Sequence, residues 1–324
     1  MDRRQFFATS AAAAAAAAAT TGISAASAAE APSLKGPYLD LTTGKGCMLL
    51  QVRMNGNLDE TKTKYGTATG IISAVRAGEK VRDLFGFEVL GVAKTEKQPD
   101  GSYRLYHRET ILYTDLATGN VIDEYTNPYT SERVKVVQVY NDPWNEYFEE
   151  FEPRPPTYGG LNKVDTTTPR KPFIQNWSHI GGGMIVSMRN INLFYPSALK
   201  PEQWPRESTG TMNQVSECYT YAARIEDVQN PKLGSIENTG TWSRVTPWLP
   251  WLLMGPAPGH VLYQSTVALY DDFNKVKKTV RDYIGKNAPH MLEAPPKESW
   301  QKKNLSSLEV YAETQKPQPA KPKI

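Results

Sequence analysis

Residues 81–114 read VRDLFGFEVLGVAKTEKQPDGSYRLYHRETILYT, and the two halves of this stretch decide the fold class. Apolar and polar residues alternate through 81–93 and again through 103–114, the period-two pattern of strands with one covered face. Between them stands Pro99-Asp100-Gly101, in which proline sets φ for a turn and glycine accepts the left-handed backbone. Two strands joined by so short a turn are antiparallel neighbours. The pattern continues outward: Asp115-Leu116-Ala117-Thr118-Gly119 turns the chain into a run over 120–125, and Asn127-Pro128 leads into another over 133–139. Proline, glycine and threonine crowd residues 152–172, which predicts a long surface loop. Residues 173–179, 184–194, 215–224 and 260–269 read as further strands, with 195–204 as a proline-bounded excursion. Gly181-Gly182-Gly183 lacks dinucleotide-binding spacing and predicts a tight bend or bulge.

Helical signals come late and are few. Residues 271–284 place Phe273, Val276, Val280, Tyr283 and Ile284 on one face, with acidic residues opening the segment and Gly285 closing it. A weaker helix is expected over 306–313, and the tail 316–324 alternates Pro and Lys in a pattern of disorder. The fold predicted is therefore mainly β, an antiparallel barrel-like or strongly curved sheet with a few peripheral helices, in a single domain over 29–315. Tyr38-Leu39-Asp40-Leu41-Thr42-Thr43-Gly44 matches Tyr113-Thr114-Asp115-Leu116-Ala117-Thr118-Gly119 at five of seven places, one turn type used twice.

The first residues carry an address. Arg3-Arg4 precedes Gln5, Phe6 and Phe7 and an alanine run from Ala11 to Ala19; no charge returns until Glu30. Ala26-Ser27-Ala28 is a small-residue exit, so the segment reads as a twin-arginine signal peptide cleaved near Ala28, with Asp2 and Ala8 departing from the usual motif. The expected location is periplasmic. An alanine-built core gains little from hydrocarbon, which argues against stable membrane insertion. Loss of this leader removes two arginines and one aspartate, so the formal charge falls from +3 to +2. That balance is not a nucleic-acid profile. Two cysteines, Cys47 and Cys218, leave one disulfide open in an oxidising compartment, against the commoner buried thiol.

Phe85-Gly86-Phe87, Tyr103-Arg104-Leu105, Arg108-Glu109, Thr126-Asn127-Pro128, Asn141-Asp142-Pro143 and Thr246-Pro247-Trp248-Leu249-Pro250-Trp251 with Met254-Gly255 resemble, as a set, the bacterial domain-of-unknown-function family 1838. Pro258-Gly259, Ala288-Pro289, Glu293-Ala294-Pro295 and Lys303-Asn304-Leu305-Ser306-Ser307 extend the resemblance. Leu308-Glu309-Val310-Tyr311 departs from it. The resemblance implies a single, often exported domain and brings no activity with it.

The chain lacks a Gly-x-Ser-x-Gly elbow, a phosphate-cradling loop, Cys-x-x-Cys and His-Glu-x-x-His. Strand alternation supplies the candidates instead. Leu105, His107, Glu109 and Ile111 share one face of their strand, so His107 and Glu109 are expected inside, sharing a proton. Val215, Glu217, Tyr219 and Tyr221 share another face, a carboxylate beside two phenols that suits orienting or deprotonating a small aromatic or hydroxylated ligand. Trp177 and His179 share a third. Trp248 and Trp251, flanked by prolines, read as a wall or lid, and His260 as a further ligand contact. His107, His179, His260 and a carboxylate lack metal-ligand spacing, so no metal or cofactor is assigned.

Two functions remain open on this reading. One is a cofactor-independent lyase or isomerase acting on a small hydrophobic or aromatic molecule, with Glu109 or Glu217 as base and His107, His179 or Tyr219 as acid. The other is a carrier that holds a lipid-like or aromatic ligand without turnover.

Overall fold

The computed structural model describes residues 33–320; the segment read as a signal peptide and the last four residues of the chain lie outside the described residues. Twelve strands are described: β1 (Lys64–Val75), β2 (Arg82–Lys97), β3 (Tyr103–Thr114), β4 (Glu124–Thr126), β5 (Arg133–Lys135), β6 (Val139–Asn141), β7 (Glu146–Phe148), β8 (Trp177–Gly181), β9 (Met184–Pro196), β10 (Met212–Arg224), β11 (Asn238–Thr246) and β12 (His260–Tyr270). The helices are α1 (Gly44–Asn55), α2 (Ile225–Val228), α3 (Lys278–Asn287) and α4 (Ser307–Thr314), with short 3₁₀ turns between them.

Ten strands make one antiparallel sheet in the order β6-β3-β2-β1-β12-β11-β10-β9-β8, with β7 also on β3. Its edges do not pair with each other, so the barrel-like expectation is corrected: the sheet is open and not strongly curled. The hollow described below is made by elements standing on one sheet face, not by closure. The hairpin from 81 to 114 forms as read, β2 pairing with β3 from Gly86↔Thr114 to Lys97↔Tyr103. The glycine triplet makes the tight β8–β9 turn, all three residues at positive φ.

Other expectations break where turn chemistry outweighs alternation. Within 120–125, Val121 only bridges to Thr114, and β4 pairs with β5 in a separate two-stranded sheet. The run 133–139 divides between β5 and β6. The helix expected over 271–284 begins as a 3₁₀ turn capped by Asp272, then restarts as α3 and passes Gly285 to stop before Pro289. Residues 316–320 have no regular structure, yet Gln318 donates its backbone N–H to Glu207 at 2.6 Å. Cys47 and Cys218 are both free thiols.

Three elements were not read from the sequence. β1 and β11 are rich in Gly, Ser and Thr, which muted their alternation, although β1 sits at the sheet's centre. α1 carries Gly44 and Gly46, yet Thr43 caps it by accepting the Gly46 N–H. Burial on both sides stabilises α1. Leu50 and Met54 pack with Trp177, Ile185 and Ala223 of one wing of the sheet. Met48 and Val52 pack with Ala93, Tyr103 and Leu105 of the other. Arg53, fully buried, donates to the carbonyls of Asp227, Val228, Asn230 and Leu233, so its charge is met by four dipoles.

α3 covers the opposite sheet face, where Val276, Val280 and Ile284 pack on Leu90, Val92 and Leu112. Truncation of the fully buried Ile284 to alanine is expected to cost about 2–5 kcal/mol, from lost transfer energy and the cavity left behind. Chemical denaturation would measure it; a loss under about 0.5 kcal/mol, the range of an exposed site, would contradict this packing.

Candidate active site

Residues paired across antiparallel strands share a face, and two rows of pairs build the site. One runs Tyr113–Phe87–Gly70–Ser265–Trp242–Tyr219–Arg189. The next runs Phe85–Ile72–Tyr263–Arg244–Glu217–Ile191. Gly70 is small for a reason: a Cβ there would meet the Gln264 carbonyl oxygen at 2.1 Å and the Phe87 ring at 2.8 Å. Its absence lets the rings lie together. Phe87 meets Trp242 and Tyr263 edge-on at 5.8 and 5.1 Å, and Trp242 stacks with Tyr219 at 6.1 Å.

Above these rows opens a cleft of about 1530 Å³. At one end stand Met48, Gln51 and Asn55 of α1; at the other the Trp248–Trp251 segment, with α4 alongside. Trp251 is packed by Phe85 at 5.1 Å and Tyr113 at 5.3 Å, and the Trp248 indole donates to the Ala257 carbonyl at 2.9 Å. Both tryptophans are nearly fully buried and act as a fixed wall.

Of the carboxylates that line this space, Glu109 and Glu217 stand in different surroundings. Glu217 Oε2 accepts from the Tyr219 hydroxyl at 2.7 Å and the Trp242 indole N–H at 3.1 Å, and Oε1 lies 3.6 Å from Arg244 Nε. Glu109 Oε2 accepts one bond, from Asn141 Nδ2 at 2.8 Å. Burial pushes the Glu109 carboxyl above the usual carboxylate range; the Asn141 amide and Arg244 pull the other way, and the charge of Glu217 adds to the rise. Burial, then Glu217, also holds the Tyr219 phenol far above its ordinary value, so it stays a hydrogen-bond donor. Tyr221 is pushed up to about 12, chiefly by burial.

His107 and Glu109 both line the cleft, yet they share no hydrogen bond, which corrects the expected proton-sharing pair. The imidazole lies over Gly91, where a Cβ would come within 2.6 Å of Nε2, and Nδ1 has no partner. Glu217, Tyr219, Tyr221, Trp248 and Trp251 also line the cleft. Trp177, His179 and His260 do not. Trp177 is buried in the cluster under α1, and His179 sits near the sheet's far edge, in register with Ile185 of that cluster. His260 opens β12 on the face opposite Val261 and Tyr263, away from the cleft. Alternation placed it one residue out of phase.

Sequence reading missed Trp242, Arg244, Tyr263 and Asn141. A signal existed for the first two: in NTGTWSRVT they alternate with Thr241 and Ser243, the period of a half-covered strand. Among the described residues no three His, Cys, Asp or Glu side chains converge to hold a metal ion, and no helix is long and apolar enough to cross a membrane.

Burial holds His107 down at about 4 against an ordinary 6.5. A depressed native value means that its contribution to stability is complete above pH 6.5 and is lost as pH falls through about 4. Thermal unfolding followed across that window should drop less steeply in His107→Gln than in wild type. Parallel curves would refute the buried neutral imidazole.

The sequence profile of the family described as protein of unknown function (DUF1838) matches residues 61–315. The chain belongs to that family. No curated protein matches it.

Proposed function

We propose that this member of the DUF1838 family binds a small hydrophobic or aromatic molecule in the cleft and moves a proton on it, as a cofactor-independent lyase or isomerase. The observation that carries the reading is the pair of unlike carboxylates beside one aromatic wall. Glu217, ringed by Tyr219, Trp242 and Arg244, is the anchored, fully partnered carboxylate. Glu109, with a single amide partner and a raised pKa, is the proton carrier, matched to work nearer neutrality than an ordinary glutamate. A proton taken from one atom of the ligand and returned to another leaves the chemistry redox-neutral. His107, held neutral, is the nearby acceptor. A periplasmic setting, with a mature chain beginning near Ala29, goes with this reading; Arg3-Arg4, the alanine run and Ala26-Ser27-Ala28, read as a twin-arginine leader, support it.

The cleft volume favours a second reading. At about 1530 Å³ it exceeds the roughly 300–1,000 Å³ of ordinary small-molecule pockets, which suits a carrier of a longer, lipid-like ligand.

Native mass spectrometry of exported protein would identify the co-purifying molecule, which is then returned to fresh protein in D₂O. Wild type should place deuterium in it. Glu109→Gln should keep the fold and the ligand while exchange falls roughly 10²–10⁴-fold. A bound ligand that wild type never exchanges supports the carrier, and exchange undiminished in the variant removes Glu109 from the chemistry.

A further inference from the structure

Arg244 is a cleft cation whose hydrogen-bonding capacity is unspent. Its side chain is 27 % exposed and pairs with Glu217, Nε lying 3.6 Å from Oε1, yet among the described residues it makes no hydrogen bond, and the buried Nε is without one. A guanidinium carries five donors in a planar fork, so most of this fork is unused. Burial disfavours the charge, but Glu217 and the neighbouring phenols hold it firmly protonated. Arg189, by contrast, is engaged by the Tyr221 hydroxyl and lies over the Phe173 ring at 5.6 Å.

The surroundings of Arg244 suit an anionic guest. The charge of Arg244 reaches Tyr195 and Tyr158, whose rings pack at 4.4 Å along the cleft. Asn213, in register with Tyr195, lines the same cleft at 1 % exposure, and its Nδ2 donor is buried without a partner. Unpaired buried donors are costly, and a ligand that pairs them recovers that cost. The Trp242–Tyr263–Phe87 platform lies beside the guanidinium for an apolar body.

We propose that the cleft selects ligands bearing a carboxylate, received by the Arg244 fork with Asn213 as a further donor, while an aromatic or aliphatic body rests on the Trp242–Tyr263 rings. This rests on the cleft being a ligand site and names the class of ligand it takes. Arginine suits a carboxylate because the two planar forks meet in parallel hydrogen bonds.

The test compares 4-phenylbutanoate with its neutral amide, 4-phenylbutanamide, by titration calorimetry at low salt. Wild type should bind the acid roughly ten- to a hundredfold more tightly, the range of charge-assisted hydrogen bonds. Arg244→Gln should erase the preference while the amide's affinity stays within about threefold, and Arg244→Lys should restore only part of it. Asn213→Asp, nearly isosteric, should weaken the acid alone through repulsion, and it carries the test if Arg244→Gln does not fold by circular dichroism. Equal binding of acid and amide to wild type overturns the carboxylate assignment and leaves the ligand site standing. An acid preference that survives the folded variants overturns the role of Arg244. If neither compound binds and nothing co-purifies, the ligand-site reading falls together with this one.

Discussion

The structure depends on one constraint: partners across an antiparallel pair stand on the same side of the sheet. Glu217 and Arg244 are registered neighbours, and so are Arg244 and Tyr263, and Tyr219 and Trp242. A one-residue slip in any of β10, β11 or β12 would send half of these groups to the far face. The register is held by bulk on one side and its absence on the other. On β1, Gly66, Ala68 and Gly70 are the cleft-face residues before Ile72, and the rings of Phe87, Trp242 and Tyr263 gather around that bare centre. Core packing and site geometry are thus one arrangement.

From that arrangement follows the electrostatic difference between the two glutamates. Glu217 sits inside the aromatic row and receives an indole N–H, a phenol O–H and a guanidinium neighbour. Glu109 lies toward the other edge of the sheet, in register with Gly91, and has one hydrogen bond, from Asn141, and the more distant charge of Arg244 to offset its burial. Two copies of one side chain are thus given unlike sets of partners. The phenols of Tyr219 and Tyr221 stay protonated beside them, so the cleft presents hydroxyl donors next to its carboxylates.

The hollow needs ends as well as a floor. α1 reaches both wings of the sheet, packing Met48 and Val52 on one and Leu50 and Met54 on the other. At the opposite end Trp251 is wedged among Phe85, Tyr113 and Tyr125. An open sheet thereby encloses a cavity without closing into a barrel, which is why alternation alone overstated the curvature. Alternation reports only which side of a strand is covered, and a helix or a tryptophan loop covers it as well as another strand would.

Much was legible beforehand. The β2–β3 hairpin, the glycine bend, the strand character of β9, β10 and β12, and the shared faces of His107 with Glu109 and of Glu217 with Tyr219 and Tyr221 follow from period-two spacing and turn residues, which are local properties of the chain. The antiparallel, mainly β class follows from the same source. Tertiary structure alone decided that β1 stands at the centre, that α1 plugs one end, and that Trp242, Arg244 and Tyr263 join Glu217. It also placed His179, His260 and Trp177 outside the cleft. The reason is physical: a strand's own residues set which way its side chains alternate, but which strands become neighbours, and hence which side chains meet, is settled by long-range pairing that no local pattern encodes.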